Sequence, residues 1–141
     1  MEITEFEIAD NILTICVAAP SFPMGIKTAY DNLNKAVGMD KPRDLYGVTE
    51  MVNGTIIYHA CVNKLAGDDA LGLDEYTIPK GKYLATLFEW EGNEHQIGQI
   101  FSELLQHPDA KPGSIGLEQY YVTPKEARLM VQERLSELVN E

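Results

Sequence analysis

Glu118 and Tyr120 are the residues whose types and spacing first suggest chemistry. They lie two positions apart in GSIGLEQYYV, residues 113–122, an otherwise apolar stretch that follows a Pro-Gly turn. Side chains two apart on a β-strand share one face, and a buried acid is costly unless it is paired or useful. Glu118 is therefore either a solvent-exposed acid or the anion of a binding site. In a site it would pair with a ligand cation, or act as general acid or base if its pKa were raised.

Aromatic residues elsewhere are candidates for the walls of the same site. Trp90, the only tryptophan, ends a predicted strand and shares a face with Phe88. A tryptophan ring is the best stacking partner for a cation, although simple packing would explain it equally well. The first half of the chain adds Tyr58 on a hairpin strand, Glu50 and Tyr46 on the facing strand, and Phe22 in the turn PSFPMG.

His59 and Cys61 also share a strand face and invite a nucleophilic interpretation. A Cys/His pair needs a third orienting group and an exposed thiolate, whereas these residues lie in an apolar run. The sequence therefore favours buried, reduced cysteines at both Cys16 and Cys61. There is no CxxC pair and no Cys/His cluster, so we expect neither a metal site nor a cofactor.

The overall charge limits the kinds of partner. The chain has 141 residues, is 45% hydrophobic and has a net charge of -11, which predicts one folded domain, residues 1–141. Binding to nucleic acid or to an anionic membrane needs a basic surface, so neither is expected. A cationic or neutral small molecule fits this charge better. The acidic N-terminus lacks the basic region of a signal peptide, which favours a cytoplasmic location.

The element pattern predicts an α+β fold built from two similar halves. Asn53-Gly54 between two apolar runs predicts a β-hairpin, and apolar spacing predicts helices near residues 26–37 and 97–105. The halves, about 11–63 and 76–122, would form two βαββ-type repeats: one antiparallel sheet with helices on one face and a cleft at the seam. Thr123 to Glu126 reads as a capping box, which predicts a C-terminal helix over 124–139.

Several of these residues resemble a known family. The segments Ile78-Pro79-Lys80-Gly81-Lys82-Tyr83, Trp90-Glu91-Gly92 and Leu117-Glu118-Gln119-Tyr120 resemble, in order and spacing, the GyrI-like or bacterial effector-binding domain of the SOUL-like superfamily. The resemblance implies two repeats around a pseudo-two-fold axis, with a pocket between them in which Glu118 is a pocket residue. Members usually add a strand after the TPxE segment, where this sequence predicts a helix instead.

The resemblance implies a function at the level of a class. Such domains bind bulky aromatic, often cationic compounds in multidrug-sensing regulators, so we expect a stand-alone small-molecule-binding protein. One alternative is a hydrolase of strained cyclopropane-containing genotoxins that uses Glu118 as general base and Tyr120 or Tyr58 as a hydrogen-bond donor. Another is an acidic, gyrase-inhibitor-like interaction protein. The sequence does not separate these alternatives, and it leaves open a homodimer or another protein partner.

Overall fold

Eight strands and two helices make up the fold in the computed structural model, which describes residues 1–38 and 40–134. Two short 3-10 turns, Asp68–Leu71 and Glu94–Gln96, complete the regular structure. No helix in the described part of the chain is long and apolar enough to span a membrane. The elements are β1 (Thr4–Ile8), β2 (Ile12–Ala18), α1 (Ile26–Val37), β3 (Leu45–Val52), β4 (Thr55–Asn63), β5 (Asp74–Ile78), β6 (Gly81–Glu89), α2 (Ile97–Gln106), β7 (Gly116–Gln119) and β8 (Glu126–Gln132).

The eight strands form one antiparallel sheet with an internally symmetric order. The order is β1-β6-β8-β7-β3-β4-β2-β5, and exchanging β3 with β7, β4 with β8, β2 with β6 and β1 with β5 simply reverses it. Each half of the chain therefore contains a βαββ unit preceded by one further strand, β1 or β5, and the pseudo-two-fold axis passes between β3 and β7. We call this boundary the seam. The predicted α+β class is confirmed.

Local sequence explains where the elements of the first unit begin and end. Asn53 and Gly54 both have positive φ, 51° and 79°, as the predicted tight hairpin between β3 and β4 requires. Helix α1 ends at Val37, and the following Gly38, with a φ of 74° and an N–H bond to the Asn34 carbonyl, closes the last turn. The predicted helix end and hairpin turn are therefore confirmed.

Cross-strand register assigns each side chain to one of two faces. Both helices pack on the same face, α1 over a cluster that contains Tyr58 and α2 over a cluster that contains Leu129. We call this the helix face and the opposite one the inner face. The inner-face core includes Ile8 from β1 and Ile78 from β5. Because these two strands are the edges of the sheet, the sheet must curl around that core.

The predicted C-terminal helix is wrong over residues 126–132, which form β8. This strand pairs with β6 on one side and with β7 on the other. The physical reason is the period of the apolar residues: Ala127, Leu129 and Val131 alternate, and all three are buried beneath α2. The capping-box residues make a turn, in which the Glu126 N–H donates to the Thr123 carbonyl at 3.3 Å. The rest of the predicted helix, residues 135–139, lies outside the described residues.

The strand β8 also removes the expected departure from the GyrI-like pattern. It provides the strand after TPxE that the family usually has, and the second βαββ unit consequently ends at Gln132 rather than at residue 122. Strand β8 lies between β6 and β7 and pairs with both. Its hydrogen bonds satisfy backbone groups of these two strands that would otherwise lack partners.

Candidate functional site

Glu118 lies on β7 at the seam, on the helix face, and only 4% of its surface is exposed. Its register partner across the seam is Gly47 on β3. The hydroxyl group of Tyr58 donates to Glu118 Oε1 at 2.8 Å, and the hydroxyl of Tyr120 donates to the same oxygen. Among the described residues no side chain forms an ion pair with Glu118, and none donates a hydrogen bond to Oε2. The carboxylate is thus held by two phenols and has no protein counter-charge.

Tyr30 extends this group from α1. Its hydroxyl group lies 2.7 Å from the hydroxyl of Tyr58 and donates to the Tyr46 carbonyl at 2.9 Å. The sequence places Tyr30 on the buried side of the helix, next to Ala29 and Leu33, both of which are fully buried. Helix α1 therefore contributes one hydrogen-bonding ring to a hydroxyl network centred on Glu118.

Gly47 makes room for the network. A Cβ atom at this position would lie 2.1 Å from the Tyr58 hydroxyl, 2.7 Å from Glu118 Oε1 and 2.9 Å from the Tyr30 hydroxyl. These distances are shorter than non-bonded atoms allow, so any larger residue would displace the phenols or the carboxylate. The strand sequence Leu45-Tyr46-Gly47-Val48 thus puts its one residue without a side chain where three polar groups meet.

Further aromatic rings surround the hydroxyl network. Tyr120 meets Tyr30 and Trp90 edge-to-face, with ring centroids 6.0 and 5.3 Å apart. Phe22, from the loop before α1, lies 6.2 Å from Tyr58 and is 43% exposed. The indole N–H of Trp90 is buried and has no hydrogen-bond partner in the described structure. We call the set the Glu118 cluster, consisting of Tyr30, Tyr58, Trp90, Glu118, Tyr120 and Phe22.

Burial controls the ionisation of this cluster. It raises the pKa of Glu118 above its usual value, and the hydrogen bonds from Tyr120 and Tyr58 offset only part of that effect. Burial likewise raises the pKa values of Tyr30, Tyr58 and Tyr120, with Glu118 adding to the effect. The phenols consequently stay protonated as donors at neutral pH. A cation placed against Glu118 would favour its charged form, because the opposite charge replaces the lost hydration.

The structure brings together five of the predicted site residues and separates three others. Glu118, Tyr120, Trp90 and Tyr58 are linked by direct contacts, and Phe22 packs on Tyr58. Tyr46 and Glu50 do not join them, because β3 residues 46 and 50 alternate with Gly47 and so point to the inner face. Phe88 is on the helix face but belongs to the apolar cluster beneath α2.

Two surface pockets lie away from Glu118. One, of about 300 Å³, opens at the inner face and includes Tyr46, Gln119 and Met130 in its lining. The other, of about 510 Å³, lies between α2 and the β1–β6 edge and includes Phe88 and Ile100. Tyr46 and Phe88 therefore line pockets of their own. At the seam, by contrast, the hydroxyl groups of Tyr58 and Tyr120 contact the carboxylate directly, and the other rings of the Glu118 cluster pack on these two tyrosines.

His59 and Cys61 lie on the inner face, as their alternation with Tyr58 predicts. Cys61 is fully buried and Cys16, its register partner on β2, is nearly so. Both cysteines are free thiols, in agreement with the expectation of buried, reduced cysteines. What the sequence did not indicate is that β2 carries Cys16 to the side of His59.

Comparison with known proteins gives matches in structure and none in sequence. No protein-family model matches the chain, and no curated protein sequence matches it either. Membership of the GyrI-like family therefore remains a prediction from the motifs.

The fold itself has solved relatives that cover almost the whole chain. An integron cassette protein from the mobile metagenome of Vibrio cholerae has a TM-score of 0.68 at 14% identity, over 94% of this chain and 95% of that one. The protein SAV2435, solved bound to tetraphenylphosphonium, has a TM-score of 0.63 at 9% identity, over 93% of each chain. A proposed bacterial transcription regulation protein from Staphylococcus aureus MU50 has a TM-score of 0.61 at 11% identity, over 95% and 99%. At these identities the likeness establishes the fold, which is consistent with the GyrI-like architecture.

Proposed function

We propose that this protein binds aromatic cations, with Glu118 as the anion that holds them. The observation that carries the proposal is a buried carboxylate, 4% exposed, that has two phenol donors and no ion-pair partner among the described residues. Burying a charge without a counter-charge is costly, and proteins keep such a group mainly where it has a use. A ligand cation would provide the missing positive charge.

The groups around Glu118 suit a ligand that is both aromatic and positively charged. Both phenols donate to Oε1, so Oε2 is the oxygen available to approach a cation. The ring of Tyr120, whose hydroxyl donates to the carboxylate, meets the rings of Trp90 and Tyr30 at 5.3 and 6.0 Å, and aromatic faces attract cations. The chain's net charge of -11 adds a long-range attraction for positive ligands.

Access to Glu118 requires the covering rings to move. Phe22 is the most exposed member of the cluster and lies in a loop, and Tyr120 and Trp90 each lie just beyond the end of a strand. Residues at strand ends and in loops shift at lower cost than residues inside the sheet ladder. We expect the ligand to displace the rings of Phe22, Trp90 and Tyr120, while Tyr58 stays fixed on β4.

A structural neighbour supports the class of ligand. SAV2435, which shares the fold, was solved bound to tetraphenylphosphonium, a cation carrying four phenyl rings. Another neighbour is a proposed bacterial transcription regulation protein. The pocket acid and the ligand class are proposals for this chain and rest on its own residues.

Trp90 makes a direct binding experiment available. It is the only tryptophan and touches Tyr120, so its fluorescence reports on the cluster without any label. Titration with tetraphenylphosphonium should change its emission saturably. In Glu118→Gln, which keeps the size and the hydrogen-bond acceptor, we expect the dissociation constant to rise about tenfold or more, equivalent to about 1.4 kcal/mol.

The matched control is Glu91→Gln, which removes an exposed carboxylate adjacent to Trp90. It changes the net charge by the same amount and should leave the dissociation constant within about twofold, since exposed charges act weakly at physiological salt. If both variants bound the ligand equally more weakly than wild type, the loss of affinity would reflect the change in net charge and not the position of Glu118. Equal affinity of wild type and Glu118→Gln would remove Glu118 from the site.

A further inference from the structure

A second group of reactive side chains lies on the inner face, on the opposite side of the sheet from Glu118. It consists of Cys16 on β2, Cys61 and His59 on β4, and Glu50 on β3. Cys16 Sγ lies 4.0 Å from His59 Nδ1, and His59 Nε2 lies 3.3 Å from Glu50 Oε2. The three side chains thus form a continuous thiol–imidazole–carboxylate series, with the second thiol beside the first.

The imidazole ring is held from two sides. Glu50 engages Nε2, which leaves Nδ1 facing the sulfur of Cys16. Tyr76 from β5 stacks on the His59 ring, with centroids 5.6 Å apart and an interplanar angle of 27°. An imidazole oriented by a carboxylate and directed at a thiol is the arrangement that activates cysteine as a nucleophile.

The two thiols are unequal in acidity. A hydrogen bond from Cys61 and the neighbouring His59 lower the pKa of Cys16 to about 6, against burial and the charge of Asp74 on β5, which raise it. The hydrogen bond with Cys16 and burial raise the pKa of Cys61. Cys16 and Glu50 in turn raise the pKa of His59 despite its burial. These shifts all favour transfer of the Cys16 proton to His59, which gives a thiolate–imidazolium pair beside a protonated Cys61.

We propose that Cys16 and Cys61 form an oxidation site that hydrogen peroxide converts into a disulfide. In the first step the Cys16 thiolate attacks one peroxide oxygen and the O–O bond breaks. The departing hydroxide takes the His59 proton and leaves as water, so Cys16 becomes a sulfenic acid. In the second step Cys61 gives its proton to His59, its sulfur attacks the Cys16 sulfur, and hydroxide leaves and is protonated to water. The two thiols supply the two electrons that reduce one peroxide to two waters.

The sheet geometry permits the second step without backbone movement. Cys16 and Cys61 are register partners on neighbouring antiparallel strands. Such partners have Cα atoms about 4.5 or 5.5 Å apart, and both values fall inside the range of about 4.4–6.8 Å that a disulfide spans. The rigid ladder on either side keeps the two sulfur atoms adjacent.

Burial selects the oxidant by size. Cys16 is 2% exposed and Cys61 has no exposed surface, so bulky electrophiles cannot reach either sulfur in the folded protein. The side chains of His59 and Glu50 are 18% and 30% exposed, so the far end of the group meets solvent. Peroxide is little larger than water and is the class of oxidant that can pass along the imidazole. Within the described residues no three His, Cys, Asp or Glu side chains are placed to hold a metal ion.

The test is peroxide treatment of the folded full-length chain, followed by intact-mass measurement and counting of thiols after denaturation. We expect both thiols to disappear together with a loss of about 2 Da, the mass of two hydrogens. In Cys61→Ser the reaction should stop at the sulfenic acid of Cys16, seen as a gain of about 16 Da, which dimedone traps once the oxidised protein is unfolded. In Cys16→Ser the remaining thiol should react about tenfold or more slowly, because a protonated buried thiol is a poor nucleophile. Loss of thiols only upon unfolding, or equal rates in both serine variants, would overturn the proposal.

The pH dependence of the oxidation rate tests whether His59 activates Cys16. The rate of oxidation of the wild type should be half-maximal near pH 6, the pKa of Cys16. In His59→Gln the profile should shift towards the usual thiol range, about pH 8.5, with the same disulfide as product. An unshifted profile would show that His59 only packs against the sulfur. The wild-type profile alone is decisive if the variants do not fold: a midpoint near pH 8.5 contradicts an activated Cys16.

Discussion

Gly47 on β3 lies directly opposite Glu118 on β7, and no other residue type would leave space for the groups that meet there. A Cβ atom at Gly47 would stand 2.7 Å from Glu118 Oε1 and 2.1 Å from the Tyr58 hydroxyl. Both atoms belong to buried, packed groups, so neither moves away without loss. The seam between the two βαββ units is therefore built around the carboxylate.

Replacing Gly47 by alanine should destabilise the protein by about 1–3 kcal/mol, the usual cost of forcing atoms into a packed interior. The tryptophan fluorescence of this variant should change as well, because displacement of the phenols would move Tyr120, whose ring contacts Trp90. Chemical denaturation monitored by circular dichroism measures the first effect. Gly98→Ala is the matched control, since a Cβ there meets no atom within 4 Å and alanine favours helix α2. The two variants having equal stability would contradict the steric account.

Tyr58→Phe should cost about 1–3 kcal/mol of unfolding free energy at neutral pH, because it leaves a buried carboxylate with one donor fewer. It should also raise the pKa of Glu118 further, since the Tyr58 hydrogen bond lowers it. Urea denaturation at pH 7 checks the first expectation. Tyr121→Phe, at a position that is 59% exposed, should change stability by less than about 0.5 kcal/mol. A loss in the control as large as that in Tyr58→Phe would mean that the hydroxyl of Tyr58 contributes nothing specific.

Glu118→Gln should gain stability relative to wild type as the pH rises. A carboxyl group whose pKa is raised by folding binds its proton more tightly in the folded state, so the free energy of unfolding falls as pH rises from its usual pKa, near 4.5, through the folded value. Glutamine has no such titration. Melting temperatures at pH 4.5 and pH 8 should therefore differ little at the lower pH and favour Glu118→Gln at the higher. A variant less stable than wild type at pH 8 would show that the carboxylate stabilises the fold.

The carboxyl group of Glu133, which lies outside the Glu118 cluster, should also make the stability of the protein depend on pH. Burial and the neighbouring Glu5 raise its pKa to about 7, it is 3% exposed, and its Oε2 has no hydrogen-bond partner in the described structure. Wild-type stability should therefore fall by roughly 1–3 kcal/mol between about pH 4.5 and pH 7 through this group. Denaturation across that range should show a smaller fall in Glu133→Gln, whereas Glu91→Gln should behave as wild type. Parallel curves for wild type and Glu133→Gln would exclude the titration.

The sequence predicted elements best where a local rule had no competitor. Asn53-Gly54 fixes a hairpin because only a turn with two positive φ values joins those strands. Residues 124–132 satisfied two rules at once, a capping box and strand alternation, and the free edges of β6 and β7 decided in favour of the strand. Strand β1 was missed, because its short alternating segment, Thr4–Ile8, gains its stability from pairing with β6, far along the chain.

In the candidate site, too, the sequence predicted what depends on one local segment and missed what depends on pairing between distant strands. Alternation correctly put Glu118 and Tyr120 together, since both lie in one segment. It could not show that Tyr46 and Glu50 face away from Glu118, because that depends on the register of β3 against β7. Tyr30 lies within the predicted helix 26–37, but nothing in the sequence indicated that its hydroxyl joins the network. The nearness of Cys16 to His59 likewise depends on register, here between β2 and β4.

The central claim is that the charge of Glu118 recognises the charge of the ligand, and a pair of similar ligands tests it directly. Methyltriphenylphosphonium and triphenylphosphine oxide have similar shapes and three phenyl rings, but only the first is a cation. Their dissociation constants can be measured by calorimetry with wild type and with Glu118→Gln. The account predicts that wild type prefers the cation by about tenfold or more, or about 1.4 kcal/mol, and that Glu118→Gln loses this preference while still binding the neutral compound. The same preference in both proteins would contradict it.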